Sequence, residues 1–444
     1  MNFIDRYSNI ILLFFISFFS IILIISTYKI FDYKNPNYFF YYIYLAISLL
    51  NIILIFYFLF LQNYKKNFLI IFYILCLAIF YSIEVYLVYK PNTIWEEYER
   101  VKEKNIEIIP HTNKRYYESS LIENIDIYTL AGVSNVGMVL TNENGYYPLI
   151  ERDQYGWHNP NHIYSDYQAV AIGNSFVEGW SVKSSQNITS VLNKLGLNTI
   201  NLGFAKNSPL HMYAVFREYV MHLKPKYIFW FYTDGDLYEL EIALNDNFLV
   251  KYLDDKSFNQ NLIDKQQQID IAISDYVIDV WNKQKLKRVR KYINIEKNRN
   301  IYFRTFKLTE LRERLGMQKK IILIDTKKKT EQKININDST INNYEKIIKD
   351  ISIEAKKFQS KIFFVYLPSK SMFSDEKMII DQNKVNLDKI LNIIKKNDIA
   401  IINLFTLMRN KYKDPKKIYS KHLKKEGYKF IANSLSQSVN TNNF

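Results

Sequence analysis

The chain has 444 residues, 48% of them hydrophobic and 16% aromatic, which excludes a disordered protein and exceeds one typical domain. Its formal charge of +15 accompanies a general excess of Ile, Lys, Asn and Tyr, the bias an AT-rich genome produces. No Arg/Lys stripe interleaved with aromatic residues occurs, so no nucleic-acid partner is expected. The single cysteine, Cys76, excludes an intramolecular disulfide and a cysteine-based zinc site.

Residues 1–90 predict three transmembrane helices. No charge falls between Arg6 and Lys29, around "IILLFFISFFSIILII", or between Lys34 and Lys65, around "LAISLLNIILIFYFLFL". A third run, Asn67–Tyr89, is broken only by Glu84 about a turn from its end, where a carboxylate can reach interfacial water. A bilayer core needs about 20 residues, which each run supplies. A signal peptide is disfavoured for the first run, because Asp5 precedes it, no small-residue cleavage site follows, and two more spans come after. Basic residues flank the runs on both sides, so the positive-inside rule leaves the orientation undecided.

Residues 91–165 alternate short apolar pieces with turn signals such as Asn144-Gly145 and "YGWHNPNH", and read as an entry segment of short strands and loops. From 166 to 440 the pattern is strand, helix, strand, helix. "AVAIG", "NTINL", "YIFWFY", "KIFFVYL" and "IAIINL" are apolar runs of the kind strands buried on both faces produce. Ile188, Val191, Leu192 and Leu195 share one helical face, as do Tyr213, Phe216, Val220 and Leu223, with Ser208 as cap and Pro209 at the first position of the second helix. The fold class is therefore α/β, with a parallel sheet between helices and ligands at the carboxyl ends of the strands. Residues at about 250–340 interrupt the alternation and read as a mostly helical insertion, a lid or a packing surface, with "TKKKTEQKININDST" as an exposed loop.

Ser175 directly follows the first strand, in "QAVAIGNSFVEGWSV", as either a nucleophile or the cap of the next helix. A serine alcohol needs a base to take its proton. Six histidines are available. His158 and His162 are spaced as a metal pair, but Pro160 lies between them and no cysteine or carboxylate completes a ligand set, so no metal or cofactor is expected. His211 and His222 lie in the helix after Pro209, and His111 in a polar loop. His422 stands after the last strand and before an amphipathic C-terminal helix, on the same sheet edge as Ser175.

"AIGNSFVEG", "NLGFAKNSPL", "FWFYTDGDLYEL" and "KHLKKEGYKFIA" resemble, in order and placement, the four motif blocks of SGNH (GDSL-type) hydrolases, in particular bacterial membrane-anchored members with a segment similar to "GVSNVGMVLTNENGYYPLIERDQYGWHNP". The resemblance covers roughly residues 130–250 and 360–436. It implies a flavodoxin-like three-layer α/β/α domain in which Ser175 is the nucleophile and His422 the base. It also implies an ester substrate outside the cytoplasm: an acylated small molecule, or acyl groups on an envelope glycan at the bacterial inner (plasma) membrane. Oxyanion donors carried over by position are the Ser175 N–H, Lys206 or neighbouring Asn207, and Gly235.

Departures from the pattern fall at four places. Asn174 replaces the usual Asp, Lys206 the second-block Gly, Gly235 the third-block Asn, and Tyr419 the Asp three residues before the histidine; Asp414 and Tyr419 itself are the candidates to orient the histidine in place of that last carboxylate. Loss of one oxyanion donor costs roughly 3–4 kcal/mol. Two expectations follow: an extracytoplasmic esterase or acyl transferase with a Ser175–His422 dyad, or a degenerate member that binds a glycan or partner protein without turnover. Nothing in the sequence indicates the oligomeric state.

Overall fold

The computed structural model describes residues 3–30, 38–89, 108–109, 116–118, 126–141, 143–144, 146–273, 276–277, 305–315, 336–374 and 377–441. The expected loop containing His111 and residues 326–335 of the expected exposed loop 326–340 lie outside these; the rest of that loop is instead a capped helix start, with Asn337 as cap and Ile336 and Thr340 buried. The chain divides into two units, Met1–Asn92 with Leu286–Thr330, and Thr93–Lys285 with Glu331–Phe444.

The first unit contains α1 (Phe3–Ile30), α2 (Tyr38–Phe58) and α3 (Asn63–Tyr89). Among the described residues, three helical stretches are long and apolar enough to cross a membrane: Tyr7–Tyr28, Tyr41–Phe58 and Asn63–Leu87. Leu12, Phe15, Ile55, Ile70 and Tyr73 pack between the helices, while Ile10, Phe14, Leu50 and Phe68 face outward, as lipid contact requires. Glu84 departs from its expected access to water. It is fully buried, and its Oε2 accepts the Leu311 N–H at 2.7 Å, in the first turn of the short helix Thr309–Arg314. An unsatisfied amide at a helix start meets a carboxylate there, so each satisfies the other away from solvent.

The second unit is built on a parallel sheet of β1 (Ala169–Gly173), β2 (Thr199–Gly203), β3 (Tyr227–Tyr232), β4 (Lys361–Tyr366) and β5 (Ala400–Asn403). The spatial order is β5-β4-β3-β1-β2, all pairs parallel, with Gly173 opposite Gly203 and Tyr232 opposite Tyr366. This is the flavodoxin-like doubly wound order, whose switch point lies between β1 and β3.

Side-chain alternation divides the apolar residues between two cores. Val170, Ile172, Ile228, Trp230 and Phe364 face α6 (Pro209–Val215), α7 (Asp236–Ala243), α8 (Asp338–Lys357) and α9 (Lys377–Lys396). Ala169, Ala171, Phe229, Phe231 and Phe363 face the other way, onto α4 (Ser175–Glu178), α5 (Ile188–Lys194), α10 (Leu404–Lys411) and α11 (Lys425–Thr441). Both sheet faces are covered, which is why the strands read as unbroken apolar runs. As the sequence predicts, Pro209 opens α6 and the Ser208 hydroxyl caps it, accepting the His211 N–H.

Of the two roles read for the insertion, a lid or a packing surface, its first part takes the second. Leu249, Tyr252, Leu262, Ile269 and Ile273 are buried in the first core rather than forming a lid, and Arg217 Nη2 donates to the carbonyls of Lys256 and Phe258 to hold that stretch down. Residues 305–315 instead belong with the three apolar helices, where Tyr81 donates to the Phe306 carbonyl at 2.9 Å. Tyr128, Leu130 and Trp157 of the entry segment lie in the main core. Apolar residues buried at wide sequence separation cannot be assigned to a layer by local periodicity.

Gly203 is where β2 touches α4. A Cβ there meets the Glu178 backbone nitrogen at 2.5 Å and the Val177 Cβ at 2.6 Å, whereas one on Gly235 meets nothing within 4 Å. Gly203→Ala is expected to cost about 1–3 kcal/mol, read as loss of near-ultraviolet circular dichroism in urea. Gly235→Ala is expected to stay within about 0.5 kcal/mol of the parent.

Candidate active site

β1 ends at Gly173, where the missing side chain admits Val177; a Cβ would lie 2.4 Å from the Val177 Cγ2. Asn174 caps α4, its Oδ1 accepting the Phe176 N–H at 3.1 Å. Gly179 closes that single turn at φ 87°, a left-handed conformation suited to glycine. Ser175 is thus the first residue of a helical turn at the sheet's switch point. Its N–H precedes the first intrahelical bond and is an open donor.

The Ser175 Oγ lies 2.9 Å from the His422 Nε2. His422 sits in a tight loop closed by the Tyr419–Leu423 bridge and by the Ser420 N–H donating to the His422 carbonyl. The rings of Phe176 and Trp180 lie 5.0 and 6.0 Å from the imidazole.

On its far side the imidazole meets a carboxylate that the sequence reading did not single out. Glu143 Oε1 is 2.9 Å from His422 Nδ1, and Oε2 accepts the His422 backbone N–H, also at 2.9 Å. Both side chains are nearly enclosed, at 13% and 10% exposure. Burial opposes ionisation of Glu143, but the hydrogen bonds and charge of His422, with the charge of Lys421, outweigh it and leave the carboxyl below its ordinary value. A carboxylate at Nδ1 places the ring proton there and leaves Nε2 to accept from the serine. The strand-to-loop segment carrying Glu143 is pinned beside the site. Trp180 Nε1 donates to Thr141 Oγ1 at 2.9 Å, and Asn144 Nδ2 to the Ser181 carbonyl at 3.0 Å.

The two residues expected to orient the histidine do other work. Asp414 accepts the Lys416 N–H and caps the turn Pro415–Ile418. The Tyr419 phenol is buried and donates to the Pro368 carbonyl at 2.7 Å. Glu143 carried no spacing signal, being 279 residues from its partner; the neighbouring Asn144-Gly145 turn was the only local mark.

The positions carried over as oxyanion donors flank the serine turn. Phe204 N–H and Asn207 Nδ2 both donate to the Gly173 carbonyl, at 3.1 Å each, so Asn207 ties the β2 exit to the β1 exit with its side-chain amide. Lys206, exposed, takes a left-handed turn at φ 65°. On the other flank, Asn174 Nδ2 donates to Thr233 Oγ1 at 3.1 Å and to Asp236 Oδ1 at 3.3 Å. An aspartate at 174 would set two carboxylates against each other, which the amide avoids. Gly235 begins α7 with open space where a side chain would project. Asp234 accepts from the Tyr366 hydroxyl and the Ser369 N–H, fixing the β4 exit.

Beneath these loops is a buried polar layer. Arg152 Nη2 pairs with Glu178 Oε1 at 2.6 Å, while Glu178 Oε2 accepts the Ala205 N–H at 2.7 Å. His158 Nδ1 lies 2.6 Å from the Glu178 carbonyl, and its Nε2 lies 2.9 Å from Ser184 Oγ. Burial takes the His158 imidazole down to about 4, so it is neutral and structural. Among the described residues no group of three His, Cys, Asp or Glu side chains converges as metal ligands. His211 serves the α6 cap and meets the Tyr128 hydroxyl at 3.0 Å.

Solved structures similar to this chain include a protein described as lipolytic, of the G-D-S-L family, from Desulfitobacterium hafniense DCB-2. It is 13% identical over 61% of this chain and 99% of that one, with a TM-score of 0.33. A GDSL-like lipase from Bacteroides thetaiotaomicron VPI-5482 is 14% identical over 64% and 91%, with a TM-score of 0.30. A catalytic mutant of an acetylxylan esterase from Geobacillus stearothermophilus is 9% identical over 62% and 94%, with a TM-score of 0.33. No protein-family model and no curated protein matches. At such values the likeness carries no argument of its own; the fold stands on the sheet order, and the parallel sheet with helices on both faces fits the α/β domain implied by the SGNH resemblance.

Burial pushes the Asp236 carboxyl up from 3.8 to about 7, against the hydrogen bonds from Thr233 and Asn174 and with the charge of Asp234. The folded state therefore keeps a proton that the unfolded chain releases, a stabilisation complete below about pH 4 and lost as pH rises through about 7. Asp236→Asn is expected to flatten the fall in thermal midpoint between about pH 5 and pH 8. Parallel falls in both proteins would contradict the assignment.

Proposed function

We propose that the chain is a membrane-anchored serine ester hydrolase of the SGNH (GDSL) type, acting on acyl esters outside the cytoplasm. The observation that carries this reading is the unbroken path from Ser175 Oγ through His422 to the Glu143 carboxylate, at the carboxyl end of β1. Ser175 Oγ attacks the acyl carbonyl as His422 Nε2 takes the hydroxyl proton. Glu143 holds the Nδ1 proton and stabilises the imidazolium. The same proton then goes to the departing alcohol, and water, activated by Nε2, releases the acyl group from Ser175. A carbohydrate hydroxyl in place of that water makes the reaction an acyl transfer.

Developing oxyanion charge is met by backbone N–H groups, that of Ser175 and that of Lys206 in the β2 exit loop; Asn207 is engaged elsewhere, its N–H with the Phe204 carbonyl and its side-chain amide with the Gly173 carbonyl. Gly235 adds no side-chain donor. One missing donor lowers the rate by about 100- to 1,000-fold and leaves the nucleophile and base in place. The three apolar helices support a membrane anchor, and we read the protein as one of the bacterial inner (plasma) membrane with its α/β unit in the periplasm or cell exterior. Its substrates there are acyl groups on an envelope glycan or an acylated small molecule.

The test uses the full chain in detergent with p-nitrophenyl acetate. Ser175→Ala and His422→Ala are expected to abolish turnover, and Glu143→Gln to lower kcat on the order of 10³-fold with little change in KM. A parent no faster than Ser175→Ala would overturn the esterase reading in favour of a binding protein without turnover. Activity indifferent to Glu143→Gln would remove the carboxylate from the relay.

A further inference from the structure

The positive charge of the chain is unevenly distributed. Residues 409–429 contain nine basic side chains and two acidic ones, Asp414 and Glu426, close to half of the net +15 of the chain. Some exposed lysines elsewhere in this unit face carboxylates, as in Lys256–Asp350 at 3.0 Å, Lys389–Asp338 at 3.5 Å and Lys396–Glu345 at 3.5 Å. Within 409–429, among the described residues, the lysine and arginine ion pairs reduce to Lys425–Glu426 at 3.7 Å. Asp414 is committed to the Lys416 backbone N–H.

These cations follow a path that starts at the catalytic histidine. Lys421 precedes His422, and its charge bears on Glu143. Lys370 Nζ donates to the Ser420 carbonyl at 3.2 Å. From Lys370 a 3₁₀ turn runs to Phe373, about 6 Å at roughly 2 Å per residue. Phe373 packs its ring 6.1 Å from Tyr419 and forms one wall of a cleft of about 460 Å³. Arg409, Lys413 and Lys416 supply the charge of the other walls, with Asp414 the single carboxylate.

The aromatic rings of the cleft are engaged with the protein. Phe373 stacks on Phe405 at 5.2 Å, and Tyr412 packs against Phe430 at 5.3 Å. The cleft therefore presents cations without a free stacking platform for nucleobases. A concave cationic site joined to the reactive serine by further cations suits a long ligand with repeated negative charge better than a flat lipid surface.

Resting on the esterase reading of the Ser175 site, we infer that the acylated substrate is a polyanionic glycan, bearing carboxylates or phosphates along its length. The Arg409–Lys413–Lys416 cleft holds an anionic unit neighbouring the acylated one. Single exposed ion pairs contribute little, so the preference is a property of the set and is screened by salt.

The experiment uses the full chain in nanodiscs of zwitterionic lipid. At low salt, kcat/KM on O-acetylated polygalacturonate is expected to exceed that on O-acetylated xylan of equal acetyl content by about tenfold or more, with the difference vanishing near 0.5 M salt. The triple variant Arg409→Glu/Lys413→Glu/Lys416→Glu loses the preference and keeps parent rates on p-nitrophenyl acetate, which also reports that it is folded; the corresponding Gln variant gives an intermediate result. In parallel, Ser175→Ala protein is expected to bind unacetylated polygalacturonate or poly(glycerol phosphate) and not xylan, and to lose this binding with the triple change. Equal activity on both polymers, or binding to phosphatidylglycerol vesicles with neither polyanion bound, would overturn the inference. Polyanion binding with no ester hydrolysed by the parent would overturn the esterase reading instead.

Discussion

One carboxylate holds His422 at two of its nitrogens, and this double grip links parts of the chain that are far apart in sequence. Glu143 comes from a segment ahead of the sheet, His422 from a loop beyond its last strand, and Ser175 from the first strand's exit. A neutral imidazole accepts from serine only if its other nitrogen is fixed as a donor, and the backbone N–H bond fixes the loop while the ring bond fixes the tautomer. The entry segment therefore cannot be a passive spacer. Its packing against Trp180 and Ser181 is a condition for His422 to be in register with Ser175.

The same logic extends under the site. Glu178, at the end of the serine turn, pairs with Arg152 from the entry segment and accepts from Ala205 in the β2 exit loop. The Arg152 guanidinium also lies 4.9 Å from the Phe204 ring, so the ion pair is covered on one side by an aromatic face. Buried ion pairs add little net stability once desolvation is counted, but leaving one partner alone is costly. The arrangement discriminates against any other placement of these three loops. Asn174 plays a comparable part on the opposite flank, where its amide meets the buried Asp236 carboxyl without the repulsion a second acid would bring.

Continuous apolar runs at β1 to β5 and the Pro209 helix start were legible because two-sided burial and capping leave local signatures. Ser175 and His422 were legible through motif order. Glu143 was not, since a single loop carboxylate has no periodicity or spacing to mark it and acquires meaning only when the fold closes 279 residues of chain. The substitutes suggested by proximity, Asp414 and Tyr419, failed for a related reason: closeness in sequence to His422 says nothing about direction, and their side chains turn to a turn cap and to the Pro368 carbonyl. At 250–340 local composition left a lid and a packing surface equally open, because polar residues there surround apolar positions that belong to two separate units.

The burial of Glu84 against Leu311 has a topological consequence. Residues 305–315 lie between two parts of the α/β unit in sequence yet group with the three apolar helices, so the chain connects the two units three times. A single proteolytic cut after α3 would leave the fragment with the α/β unit carrying its own piece of the helical unit, held by contacts rather than by a peptide bond. Separation of that fragment from the three apolar helices needs that grip to be undone as well. A truncated chain beginning near Pro91 would expose the surface that Glu84 and its neighbours cover.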